Sequence, residues 1–145
     1  MDDESFFAEM KDQSKAKLNI VNKYFLSWTK IISPRTKRLA YVDLFAGRGF
    51  YEDGTPSTPI EILQQAIERE DLCEKLITVF NDINHASSLK SSIFALNNIS
   101  HLTHQPIVWS ESVCEDILCK MDFLIKVPTL LFIDPFGYKL SLIHI

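Results

Sequence analysis

At 145 residues, 46% hydrophobic and 23% charged, the chain has the length and composition of one ordinary globular domain, and it carries no excess of Gly, Pro or Ser that would point to disorder. No apolar run approaches the roughly 18 residues needed to span a bilayer, and the acidic start Met1-Asp2-Asp3-Glu4 is the reverse of a secretory n-region, so the sequence reads as cytoplasmic with no membrane partner. A net charge of -4 gives no global electrostatic reason to bind nucleic acid. Cys73, Cys114 and Cys119, odd in number and without close metal spacing, read as thiols rather than as disulfides or zinc ligands.

Leu18, Val21, Phe25, Trp28 and Ile32 are spaced by threes and fours, which predicts a helix from near Ser14 to just before Pro34. Lys30, Arg35, Lys37 and Arg38 follow as a basic cluster, read either as a solvated loop or as phosphate contacts. Leu39 to Phe45 is a short apolar run ahead of glycines and predicts a buried parallel strand. Thr58-Pro59-Ile60-Glu61 is a helix start, with Thr58 as cap, Pro59 at the first helical position and Glu61 completing a capping box; that helix should reach about Arg69. A strand at Leu76 to Phe80, a helix from Ala86 to Leu96, a weaker strand at Pro106 to Trp109, a short helix around Val113 to Met121 and a strand at Leu130 to Ile133 complete the order. This alternation predicts an α/β, Rossmann-like parallel sheet whose ligands sit beyond the strand carboxyl ends.

Asp43, Asp82 and Asp134 all fall at such ends. Glycines after a first strand let a cofactor approach the backbone because they lack Cβ; Gly47 and Gly49 are in that place, with Phe45 in the same turn. The carboxylate of Asp43 suits an ammonium such as the methionine end of S-adenosylmethionine, whereas a dinucleotide phosphate gains nothing from it. The position three after Gly49 is Glu52, which breaks the dinucleotide pattern G-x-G-x-x-G, and no G-K-[ST] follows, which excludes a P-loop. Asp82, with Asn81 as its neighbouring alternative, is placed for the two ribose hydroxyls or for capping the next helix, and the two roles are compatible. Glu111 is placed for the adenine edge or for solvent. Asp134-Pro135-Phe136-Gly137 is a candidate catalytic segment: a carboxylate to orient an acceptor, a proline to stiffen the exit and a ring to stack on a planar substrate, with a strand-terminating turn as the competing reading. His101 and His104 lie in a polar loop without matching ligands, and no metal site is expected.

With these residues in place, the chain resembles the three-Cys-motif partner protein family, a bacterial group similar to class I methyltransferases. The resemblance runs from about Lys17 to Lys139. It rests on the helix Lys17 to Trp28, on Tyr41 to Gly49 with Tyr51, Asp53-Gly54 and Ser57-Thr58-Pro59, and on Phe132 to Gly137. It implies S-adenosylmethionine as cofactor and a neighbouring protein with a three-cysteine motif as partner; Cys73, Cys114 and Cys119 are not that motif. In nucleic-acid methyltransferases with a similar D-L-F-A-G-x-G loop, the fourth strand ends in a carboxylate or asparagine, two prolines and an aromatic. Here Phe136 takes the place of the second proline, and the loop lacks a third glycine.

The resulting expectation is a helical segment over 1–38 and a partial domain of the class I methyltransferase type over 39–139, truncated after the fourth strand. Residues 140–145, Leu-Ser-Leu-Ile-His-Ile, match what one frame of the transposase mosaic-end adapter used in sequencing libraries encodes, and are expected to be an artefact. A four-strand unit leaves a sheet edge unpaired and its apolar faces partly uncovered, so a soluble protein is expected only of a longer natural product. The expected function is methyl transfer from S-adenosylmethionine, with nucleic acid as a candidate acceptor; the alternative is a non-catalytic protein that docks to the three-cysteine partner, with a role in phage defence.

Overall fold

The structure is a computed structural model that describes the backbone of residues 3–133 and 141–144 and the side chains of residues 15–133. Its centre is a sheet in the order β3-β2-β1-β4-β5, in which β1 (Leu39–Asp43), β2 (Leu76–Asn81), β3 (Ile107–Trp109) and β4 (Thr129–Ile133) run parallel. This is a Rossmann-like α/β arrangement. The order reverses between β1 and β4, because the chain moves outward from β1 to β3 and then returns to the far side of β1. In open α/β sheets such a switch point opens a crevice at the carboxyl ends.

Every residue of β1 and β2 is buried, which accounts for their continuous apolar character. Alternate residues serve two cores. Leu39, Tyr41, Phe80, Leu130 and Phe132 pack with Val21, Phe25 and Trp28 of α1 (Asp3–Ile32), Ile60 and Leu63 of α2 (Thr58–Glu68), and Leu89 and Ile93 of α4 (Ala86–Phe94). Ala40, Val42, Ile77, Val79 and Leu131 face the other way, onto Ile117 of α5 (Glu115–Lys120) and onto Met121 and Leu124 of the 3-10 turn Met121–Leu124. The second face thus has the thinner cover, and Leu118, Phe123 and Ile125 remain exposed there.

Several boundaries differ from those read in the sequence. α1 begins at Asp3 rather than near Ser14: the run from Lys11 to Lys17, without a large apolar residue, interrupts the apolar stripe but not the helix. The first strand ends at Asp43, where the backbone turns into the glycine loop, and not at Phe45. The cap of α2 is Ser57 rather than Thr58, which is the first helical residue, and no side-chain capping bond forms. A further short helix, α3 (Glu70–Lys75), follows after the extended Arg69. β5 (Ser141–His144) pairs antiparallel with β4, so the sheet does not stop at its fourth strand. Such pairing uses backbone groups and is open to any extended segment at an unpaired edge, whatever its origin. Among the described residues no helix is long and apolar enough to cross a membrane.

Candidate functional site

Three loops leave the carboxyl ends of β1, β2 and β3, and one asparagine ties them together. Asn81, 1% exposed, donates through Nδ2 to the carbonyls of Leu44 (3.1 Å) and Glu111 (2.9 Å) and accepts the Glu111 amide at Oδ1 (2.9 Å). Its own carbonyl accepts the Ala46 amide at 2.9 Å. A buried amide with its donors and acceptor used in this way fixes the β1 and β3 exits against β2. The sequence offers Asn81 only as an alternative to Asp82. Its role is that of a stitch, and the available signal was a short polar amide ending a mostly apolar, buried strand.

Asp82 performs the second tie. Oδ2 accepts the Gly47 amide at 2.9 Å, while Oδ1 accepts the amides of Asn84 (2.9 Å) and His85 (2.7 Å) and lies 3.1 Å from the His85 ring nitrogen Nδ1. Burial by itself raises the pKa of this carboxyl. The hydrogen bonds from Asn84, His85 and Gly47 outweigh burial and hold it below the ordinary carboxylate value. Asp82 therefore closes the turn ahead of α4, whose N-cap is His85 rather than Asp82, and holds the glycine loop at the same time.

Along the loop after β1, successive amides turn inward. Phe45 N–H donates to Asp43 Oδ1 (3.0 Å), Ala46 N–H to the Asn81 carbonyl and Gly47 N–H to Asp82. An anion-binding loop presents such amides outward to a phosphate; this one spends them on the protein. The carboxylates among their acceptors are Asp43, at the end of β1, and Asp82, just after β2. Asp43 is 1% exposed and the Phe45 ring is half-buried against the second core.

The two loop glycines differ. Gly47 has φ +74°, a left-handed conformation, and nothing lies within 4 Å of where its Cβ would stand, so the backbone there is open to a ligand. At Gly49 a Cβ would stand 2.2 Å from Ser92 Cβ and 2.5 Å from Ser92 Oγ, so that glycine admits α4 rather than a cofactor. Between them Arg48 is exposed. The insertion after Gly49 folds back on itself: Phe50 bridges Pro56, Tyr51 N–H donates to the Thr55 carbonyl, and Ser57 N–H donates to the Gly49 carbonyl. This small hairpin moves the α2 N-terminus away from the glycines along the chain.

Glu111 has its backbone fixed by Asn81, but its side chain turns to Lys120, with Oε1 2.6 Å from Nζ. Lys120 Nζ in turn lies 5.0 Å from the centroid of the Trp109 ring. Asp134, Pro135 and Phe136 lie outside the described residues. Cys114 and Cys119 are exposed, Cys73 is half-buried, and all three are free thiols. Among the described residues no group of three His, Cys, Asp or Glu side chains could hold a metal ion.

With the Phe45, Ala46 and Gly47 amides all bonded within the protein, none of these three is left for a phosphate. Comparison with models of known protein families, with curated proteins and with solved structures finds no match to this chain.

Proposed function

We propose that the crevice between β1 and β4 holds S-adenosylmethionine and that the domain, of the class I methyltransferase type, transfers its methyl group. The observation that carries this reading is the inward turn of the Phe45, Ala46 and Gly47 amides, which leaves a carboxylate-bearing loop where a nucleotide-phosphate protein would offer free N–H groups. Asp43 serves the methionine end, the Gly47 backbone lies against the cofactor, and Asp82 positions the loop while offering its outer edge to the ribose. Phe45 and Gly49 act through packing, and Glu111 borders the adenine side. Asp134, with Pro135 and Phe136, orients the acceptor. The cofactor supplies the electrophilic methyl; the protein's part is alignment of the acceptor with the sulfonium and exclusion of water.

Isothermal titration with S-adenosylmethionine and S-adenosylhomocysteine tests the reading. Saturable heat with both ligands, weakened at least tenfold in Asp43→Asn, is expected. The absence of heat in a folded wild-type protein removes it.

A second reading is favoured by the exposed Val113, Leu118, Phe123 and Ile125 on the thinly covered face. On that reading the domain works by docking to a protein with a three-cysteine motif, and the crevice is inherited rather than used. Labelled-methyl transfer to nucleic acid and protein, with and without that partner, separates the two: cofactor binding without any transfer favours docking.

A further inference from the structure

The charge of this chain is unevenly placed. Between Lys15 and Val42 lie Lys15, Lys17, Lys23, Lys30, Arg35, Lys37 and Arg38, seven of its 15 basic residues and none of its 19 acidic ones. The inner face of α1 is used by the core through Val21, Phe25 and Trp28, so the cations are pushed outward. Lys15, Lys23, Lys30, Arg35, Lys37 and Arg38 are all exposed, and among the described residues none of the six forms an ion pair.

The direction of α1 gives this stripe a destination. Lys17 Nζ lies 5.1 Å from the centroid of the Phe132 ring, and Phe132 pairs in register with Asp43 at the carboxyl end of β1. At its other end the helix leads to Ser33, whose carbonyl accepts from Lys75 Nζ just before β2 begins. α1 therefore runs from the crevice to the amino ends of the strands. From Lys15 to Lys30 that is about 22 Å of helix, with Arg35, Lys37 and Arg38 beyond.

We infer that the outer face of α1, continued through Arg38, is a track for the phosphate backbone of nucleic acid, with one end beside the β1–β4 crevice. Six exposed cations with no ion pair among the described residues, in a segment with no acidic side chain and in a protein that is otherwise acidic, are the electrostatic footprint of a polyanion site. An anionic membrane is the less suitable occupant. A helix lying in a membrane surface needs an apolar face to insert; among the described residues of α1 that face is already buried against the sheet, and the outer face offers only Ile20 and Ile31 as large exposed apolar side chains. The track carries no base-reading geometry, so binding is independent of sequence. The inference does not depend on the cofactor reading, since it is tested without cofactor.

The test is fluorescence anisotropy of labelled 20-nucleotide single strands and duplexes of DNA and RNA with the 145-residue chain, from 50 to 200 mM salt. Each neutralised duplex phosphate contributes a slope of about -0.9 in log affinity against log salt, so four contacts predict binding about 150-fold weaker at the higher salt. Lys30→Gln/Lys37→Gln is expected to lower the slope by about two. Lys90→Glu, which changes net charge by the same amount on α4, is expected to leave binding within about twofold, a judgement that rests on the local nature of phosphate contacts. Circular dichroism of each variant confirms that the surface changes leave the fold intact. No binding at 50 mM salt, equal loss in Lys90→Glu, or binding to anionic vesicles but not to nucleic acid overturns the inference.

Discussion

The amide of Gly47 donates to Oδ2 of Asp82 at 2.9 Å, so the loop leaving β1 is held by a carboxylate at the end of β2, 35 residues away in sequence. Removing that carboxylate strands three amides at once, those of Gly47, Asn84 and His85. Asp82→Ala is expected to cost about 2–4 kcal/mol, given that hydrogen bonds to a charged group contribute roughly 1.5–3 kcal/mol each and that water recovers part of the loss. A fall in the urea midpoint with an unchanged slope checks this.

The same hydrogen bonds set a pH dependence. The folded pKa of Asp82 lies below its unfolded value, so its contribution to stability is present above about pH 4, the unfolded carboxylate range, and is lost as pH falls through the folded pKa. Asp71, whose burial is outweighed by Ser33 and Arg69, acts in the same direction. Urea midpoints measured from pH 6 down to pH 3 are expected to fall in the wild type and to fall less steeply in Asp82→Asn. Equal slopes would show that Asp82 titrates alike in both states.

Gly49 and Ser92 make a steric pair. Gly49→Ala places a methyl group 2.2 Å from Ser92 Cβ, which displaces α4 or the loop and is expected to cost about 1–3 kcal/mol. Because the clash is with Cβ, Ser92→Gly should restore part of that loss in the double variant, whereas Ser92→Ala should restore little. Thermal unfolding of the two double variants distinguishes them.

Tyr41 is fully buried between Phe25 and Phe80, and its hydroxyl has no hydrogen-bond partner among the described residues. Burial, reinforced by Asp43, pushes its pKa well above the ordinary value, so it is a neutral phenol at any pH of interest. Tyr41→Phe keeps the ring contacts and removes the unsatisfied group. An increase in stability of about 1 kcal/mol is expected from urea unfolding; a decrease would mean that the hydroxyl has a bonding role.

The strands were legible because β1, β2 and β4 are short apolar runs that end at Asp43, Asn81 and the segment after Ile133, and chain order alone suggested a parallel sheet. α1 was legible only where Leu18, Val21, Phe25 and Trp28 mark its buried face. Its first turns are cut off from that stripe by the run Lys11 to Lys17, and α3 was hidden because six residues after Arg69 are too few to show a period. In the site, the carboxylates could be assigned to strand ends but not to partners. That Asp82 grips Gly47, that Asn81 joins three loops, that Glu111 turns to Lys120 and that Gly49 makes room for Ser92 all depend on distances between segments remote in sequence, which spacing does not encode.

Amide resonances of the 15N-labelled chain, followed while S-adenosylhomocysteine is added, test the cofactor reading most directly. The expected result is saturable movement centred on Phe45, Ala46, Gly47 and Asp82, with residues at the amino ends of the strands unchanged. A folded spectrum that does not respond, or one that responds only away from the β1 and β2 exits, would contradict it.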